Sequence, residues 1–188
     1  MARPRSEDKR NAIMAAATRV IVAEGLGAPT ALIAKEAGVA NGTLFTYFKT
    51  KADLYNQLYL ELKGGMAAAA LAGVPAKAAL RDRVFHVWSN WVGWAISNPE
   101  KRRALAQLSV CEDITPSTKA AGHKAMEDIA DLMERIRANG HLKGASVELV
   151  GSLMNSMAET TMDFMIRDPA HAASHCKVGF DAFWRAFA

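Results

Sequence analysis

Between Asn41 and Lys51 the chain reads NGTLFTYFKTK. Asn41, Gly42, Thr43, Thr46 and Tyr47 bring an amide, two aliphatic hydroxyls and a phenol together within seven residues, and Lys49 and Lys51 follow. No carboxylate, imidazole or thiol lies among them, so the chemistry they offer is recognition rather than proton or group transfer. Amides and short hydroxyls match the edges of bases, a glycine lets backbone come close, and phenols and lysines hold phosphates. The bland alternative is a small solvated helix with no ligand.

Such a face must be held by something, and the surrounding pattern supplies it. Ile13, Ala16, Ala17, Val20 and Ile21 form the apolar face of a first helix that ends at Gly25. A short helix over Thr30–Ala37 is stopped by Gly38, which can take the left-handed conformation, and a third runs from about Asn41 to Phe48. Two short helices joined at one glycine make a helix-turn-helix. Ile33, Ala37, Val39, Leu44 and Phe48 supply the seam that ties the pair to the first helix, and small Ala34 allows close approach.

Thr50-Lys51-Ala52-Asp53 has the form of a capping box and starts a fourth helix. Asn98-Pro99, Thr115-Pro116 and Asp168-Pro169 start three more, and Ser146 caps another after the boundary between Gly140 and Gly144. The expected fold class is all-α with about nine helices, no strand and no internal repeat. Residues 1–50 form the expected helix-turn-helix domain, 51–72 a connecting helix, and 73–188 a helical bundle. Gly64-Gly65 inside the connecting helix costs roughly 2 kcal/mol relative to alanine, so it is either a hinge or a plain helix end.

Charge divides the same way. Residues 1–51 hold eight Lys/Arg against four Asp/Glu, and the rest of the chain is neutral, so the whole excess of +4 belongs to the N-terminal quarter. One end is thus built to meet a polyanion. An apolar content of 51% in 188 residues excludes disorder. The alanine-rich stretch before Pro75 is too short to span a membrane, no signal peptide precedes the first helix, and Cys111 and Cys176 are far apart. A cytoplasmic location is expected. No glycine-rich phosphate loop, nucleophile elbow or zinc helix is present, so no catalytic residue and no cofactor is expected. His171 and His175, four apart with Cys176 adjacent, are a possible metal pair, but no further ligands are apparent and no metal site is expected.

The stretch IAKEAGVANGTLFTYFKTKADL, Ile33 to Leu54, resembles the signature of the TetR/AcrR family of bacterial transcriptional repressors, I-A-x-x-A-G-V-S-x-G-x-L-Y-x-[YH]-F-x-[ST]-K-x-x-L. The resemblance covers roughly residues 9–60. It implies a homodimer on a palindromic operator of double-stranded DNA, released when a small molecule enters the C-terminal domain. The DNA contacts are then expected from Thr30, Asn41, Gly42, Thr43, Thr46, Tyr47, Lys49 and Lys51. Arg3 and Arg5 would form an N-terminal arm. Ala40 stands where the family has its capping serine, Phe45 where it commonly has a tyrosine, and the link from Gly25 to Ile33 is about one residue shorter.

The bundle must then dimerise and respond. Its penultimate helix is apolar nearly all round and its last carries Phe180, Phe183, Trp184 and Phe187 at i, i+3, i+4 and i+7. Val150, Met154, Met157, Phe180, Phe183, Trp184 and Phe187 are the expected dimer interface, unless the aromatics close the monomer core. Trp88, Trp91, Met126, Met133, Met157, Glu159 and Thr161 are the expected walls of a pocket for an apolar or aromatic effector; the same stripes would serve as ordinary core. Two rivals remain open: a DNA-binding dimer with no small-molecule switch, and a bundle-type helical enzyme.

Overall fold

The computed structural model describes residues 3–188, with side chains for 6–138 and 140–188. All regular structure among the described residues is helical: α1 Arg3–Glu24, α2 Thr30–Glu36, α3 Asn41–Tyr47, α4 Lys51–Leu71, α5 Leu80–Ser97, α6 Pro99–Ser109, α7 Pro116–Lys124, α8 Glu127–Asn139, α9 Val147–Arg167, a 3₁₀ turn Pro169–His171, and α10 Ala172–Phe187. The first helix begins at Arg3, with Pro4 in its first turn, where a fixed φ suits a helix. The side chains of Arg3 and Arg5 lie outside the described residues.

The tenth helix comes from a break within the segment that starts at Pro116. Residues 125–126 form a turn with Met126 at φ −104°, and Glu127 and Asp128 open α8 with acids suited to a helix N-terminus. No glycine or proline marks that break, so periodicity alone runs through it. Thr50 caps α4 as expected, accepting from the Asp53 amide at 3.0 Å, while the Asp53 carboxylate accepts from the amide of Lys49, one residue before the cap. Thr115 and Ser146 likewise accept from the amides of Thr118 and Leu149.

By contacts the chain divides into two units, residues 1–64 with 99–124, and residues 65–98 with 125–188. In the first, α1 buries Ile13, Met14, Ala16, Ala17, Val20 and Ile21, and both α2 and α6 pack on it. The α6 residues Ala104, Leu105 and Leu108 are buried there. Tyr55 is fully buried and its hydroxyl donates to the Leu26 carbonyl at 2.9 Å, tying α4 to the link between α1 and α2. Gly122 of α7 lies against the Tyr59 ring, where a Cβ would find no room.

Burial pushes the Tyr55 phenol from 10.0 up to about 12, with the charges of Cys111 and Asp113 adding to the shift. The folded protein holds this proton more tightly than the unfolded chain. Its stabilising contribution is therefore complete below pH 10 and is lost as the pH climbs from 10 towards about 12. The melting temperature is expected to fall across that window, and to fall less steeply in Tyr55→Phe, in alkaline thermal melts of the two proteins.

In the second unit, α9 and α10 pack along their lengths and α5 joins both. Trp88 stacks on Phe183 at 5.4 Å between centroids and meets Phe180 edge-on, and Phe183 contacts Phe187 at 4.7 Å. Val150, Phe180, Phe183 and Phe187 are all buried inside this one chain. In the single chain they belong to the core, which for the three phenylalanines is the alternative that the sequence left open. The large apolar side chains left outside include Leu149, Leu153 and Phe164 on α9 and Val178 on α10. Met154, Met157 and Trp184 are half-buried against the core.

Candidate nucleic-acid interface

The turn between α2 and α3 is set by Gly38, whose φ of +68° lies in the left-handed region. Ile33, Leu44 and Phe48 are fully buried, and Ala37 and Val39 half-buried, so the seam holds α3 as the pattern requires. The side of α3 away from it carries Asn41, Gly42 and Thr46, all exposed, with Thr43 and Tyr47 half-exposed at its margin. Thr46 donates its hydroxyl to the Thr43 carbonyl at 2.7 Å, which fixes its rotamer and leaves its oxygen lone pairs outward.

Lys49 follows, exposed on the link to α4. The Asp53 carboxylate holds its backbone amide, and Gln57 in turn donates to Asp53 at 3.0 Å. Lys51 opens α4 with its ammonium 5.4 Å from the centre of the Tyr55 ring, a half-buried cation on a rigid base. Thr30 is the first residue of α2, half-buried behind Pro29. Arg10 braces the unit from α1, reaching Glu61 and Gln57 at 3.3 Å and lying over the Phe48 ring.

Ala40 is the N-cap of α3 and supplies no side-chain bond, and Asn41 stands inside the helix and does not replace it. Ala40→Ser is therefore expected to raise stability by about 1 kcal/mol, read as a shift of the urea midpoint at constant slope. Phe45, 42% exposed, is the one large apolar side chain on the outer part of α3, in a position where spacing alone did not distinguish wall from surface.

A short helix held by an apolar seam, presenting amide and hydroxyl groups and followed by two lysines, defines a helix-turn-helix DNA reader. The two contact units differ in charge to match. The first holds fourteen Lys/Arg against nine Asp/Glu, the second nine against ten.

A family profile described as "Bacterial regulatory proteins, tetR family" matches residues 13–58. A tetR family transcription regulator from Shewanella sp. PV-4 is 30% identical and superposes with a TM-score of 0.83, over 94% of this chain and 96% of that one. A TetR family regulator from Marinobacter aquaeolei VT8 shares the fold at 19% identity, covering 97% and 96% of the chains with a TM-score of 0.80. So does FadR from Bacillus subtilis in complex with stearoyl-CoA, at 19% identity over 90% and 97% with a TM-score of 0.65. The chain belongs to the TetR family of transcription regulators, which are DNA-binding proteins and not enzymes.

The residues expected to wall an effector pocket are dispersed through the second unit. Trp88 is buried in the aromatic core, and Trp91, Met126, Met133 and Met157 pack half-buried around it. Thr161 is buried and donates to the Met157 carbonyl at 2.8 Å, and Glu159 is engaged by a neighbouring group. A cleft of about 460 Å³ lies elsewhere in this unit, lined by Leu71, Val74, Arg83, Asp128, Asp131, Leu132 and Arg135 along with Ala76. His171 and His175 both direct a ring nitrogen at Asp168 at 3.0 Å, and these bonds hold its carboxyl below the usual range. The Cys176 thiol turns instead to Ser89, and burial pushes it up. Among the described residues no group of three or more His, Cys, Asp or Glu side chains is arranged so that it could hold a metal ion, and no described helix is long and apolar enough to cross a membrane.

Proposed function

We propose that this chain is a ligand-responsive repressor. It binds a palindromic operator as a homodimer and leaves it when a small apolar or aromatic effector occupies the C-terminal unit. Base edges are read by Asn41, Thr43 and Thr46 with the Gly42 backbone close to the DNA, and phosphates are held by Thr30, Tyr47, Lys49 and Lys51. The observation that carries the reading is the outward polar face of α3 between its buried seam and the two lysines. A cytoplasmic site of action goes with it.

Dimerisation is assigned to the exposed apolar side chains of α9 and α10. The effector part of the reading is supported by the cleft on α8, and by the fact that the B. subtilis FadR structure holds stearoyl-CoA within the same fold. The tight packing of Trp88 and Thr161 favours the rival, a DNA-binding dimer without a small-molecule switch, because side chains already enclosed have no wall to offer.

The test is capture of fragments from the source genome by the purified protein at two salt concentrations. A palindrome is expected, with affinity falling steeply as salt rises, since each phosphate neutralised by a lysine or arginine adds about 0.9 to the logarithmic slope. Lys51→Ala with Tyr47→Ala should weaken binding, and loss of the two Lys51 ammoniums of a dimer should flatten that slope by about 2. Salt-sensitive capture without a preferred sequence would replace the operator reading with an architectural one.

A further inference from the structure

The cleft on α8 carries a chemistry of its own. Asp128, Asp131, Leu132 and Arg135 stand at i, i+3, i+4 and i+7, a single stripe of α8 that faces it. Leu71 and Val74, from the end of α4 and the loop after it, add apolar wall, and Arg83 enters from the first turn of α5.

Arg83 Nε is buried and has no hydrogen-bond partner. Nε is enclosed and is not the atom that a ligand would meet, but Arg83 lines the cleft and brings it a fixed positive charge, which favours an anionic oxygen there. Asp128 and Asp131 in the same lining would repel a simple anion, just as Arg83 and Arg135 would repel a simple cation. The lining is balanced, with two cations and two anions beside leucine and valine side chains. A ligand that bears one charge meets an opposing charge as well as a partner; a ligand with both charges on neighbouring atoms meets only partners.

We propose that this cleft binds an amino-acid-like zwitterion with an apolar or aromatic side chain, its carboxylate on Arg83, its ammonium on Asp128 and Asp131, and its side chain against Leu71, Val74 and Leu132. This gives the effector of the preceding section a chemical class, and only its regulatory consequence rests on that reading. The discrimination comes from charge pairing inside a partly enclosed site, where each charge-assisted bond outweighs its counterpart in water.

Three probes of one skeleton test it by calorimetry on the full chain: L-phenylalanine, 3-phenylpropionate with the carboxylate alone, and 2-phenylethylamine with the ammonium alone. Phenylalanine is expected to bind at least about tenfold more tightly than either analogue. Arg83→Gln should reduce it to the level of the amine, and Asp128→Asn with Asp131→Asn to the level of the acid, with melting temperatures confirming that both variants fold. Equal affinities for the three probes, tightest binding of a singly charged one, no binding, or an unchanged isotherm in Arg83→Gln would each overturn the site. Operator affinity at saturating phenylalanine is a separate readout. Phenylalanine that binds and leaves operator affinity unchanged keeps the zwitterion site and removes its regulatory role. Release of operator by other compounds, with no phenylalanine bound, keeps the regulatory reading and removes this site.

Discussion

Leu153→Glu combined with Val178→Glu is expected to leave the protein monomeric and to weaken operator binding by roughly a hundredfold or more. Leu153 is 42% and Val178 64% exposed in the single chain, so neither substitution disturbs its core. Leu149, Leu153, Thr160 and Phe164 follow a spacing of four, seven and four along α9, which aligns them as one stripe. Val178 is joined on the outer side of α10 by the small exposed residues Ala182 and Ala186. Helices meeting through such surfaces would bury the glutamates without partners, and an unpaired carboxylate in an apolar interface costs several kcal/mol. A palindrome is read by two recognition helices held one turn of DNA apart; with free monomers the second half-site becomes a separate binding event. Light scattering on the eluting peak gives the mass, anisotropy on operator DNA the affinity, and a variant of unchanged dimeric mass would move the interface to another face.

Gly179→Ala is expected to destabilise the second unit by about 2 kcal/mol, although alanine is the better helix former. At Gly179 a Cβ would run into the Thr161 side chain, meeting Oγ1 first and then Cγ2 at 2.8 Å and Cβ at 3.0 Å. Thr161 has little freedom to retreat. It is β-branched, buried, and its hydroxyl is committed to the Met157 carbonyl. The helix-propensity gain is about 1 kcal/mol and the overpacking penalty up to about 3, so the penalty wins. Thr161→Ala removes both colliding γ atoms, and the double variant should regain most of the loss in a denaturant double-mutant cycle. Additive effects in that cycle would mean that α9 and α10 relax apart by another route.

The contrast between these two sites shows where sequence reading succeeds and where it stops. The seam of Ile33, Leu44 and Phe48 was legible because a short helix with one apolar face has only one way to pack. The outer face of α3 followed as its complement. On α9 and α10 apolar residues occupy two faces, and periodicity does not say which face meets the chain's own core and which is left outside. Phe180, Phe183 and Phe187 turned inward, where they pack with Trp88 and one another, and Leu153, Phe164 and Val178 remained. The cleft was illegible for a different reason: Arg83 and Asp131 are ordinary surface types 48 residues apart, brought together only by the pairing of α5 and α8. Thr50 and Asp53 fall between, since the motif predicted the reciprocal bonds and missed the acceptor's target by one residue.

The unit that carries α3 is discontinuous in the chain: residues 1–64 are completed by 99–124. A fragment ending at residue 50 would lack Tyr55 and the α6 residues Ala104, Leu105 and Leu108, and would leave part of the α1 core uncovered. The reader is thus no detachable cassette. Grafting its specificity onto another regulator calls for two inserts in the host, and recombination at a single breakpoint between them would separate α1 from the α6 residues that cover part of it.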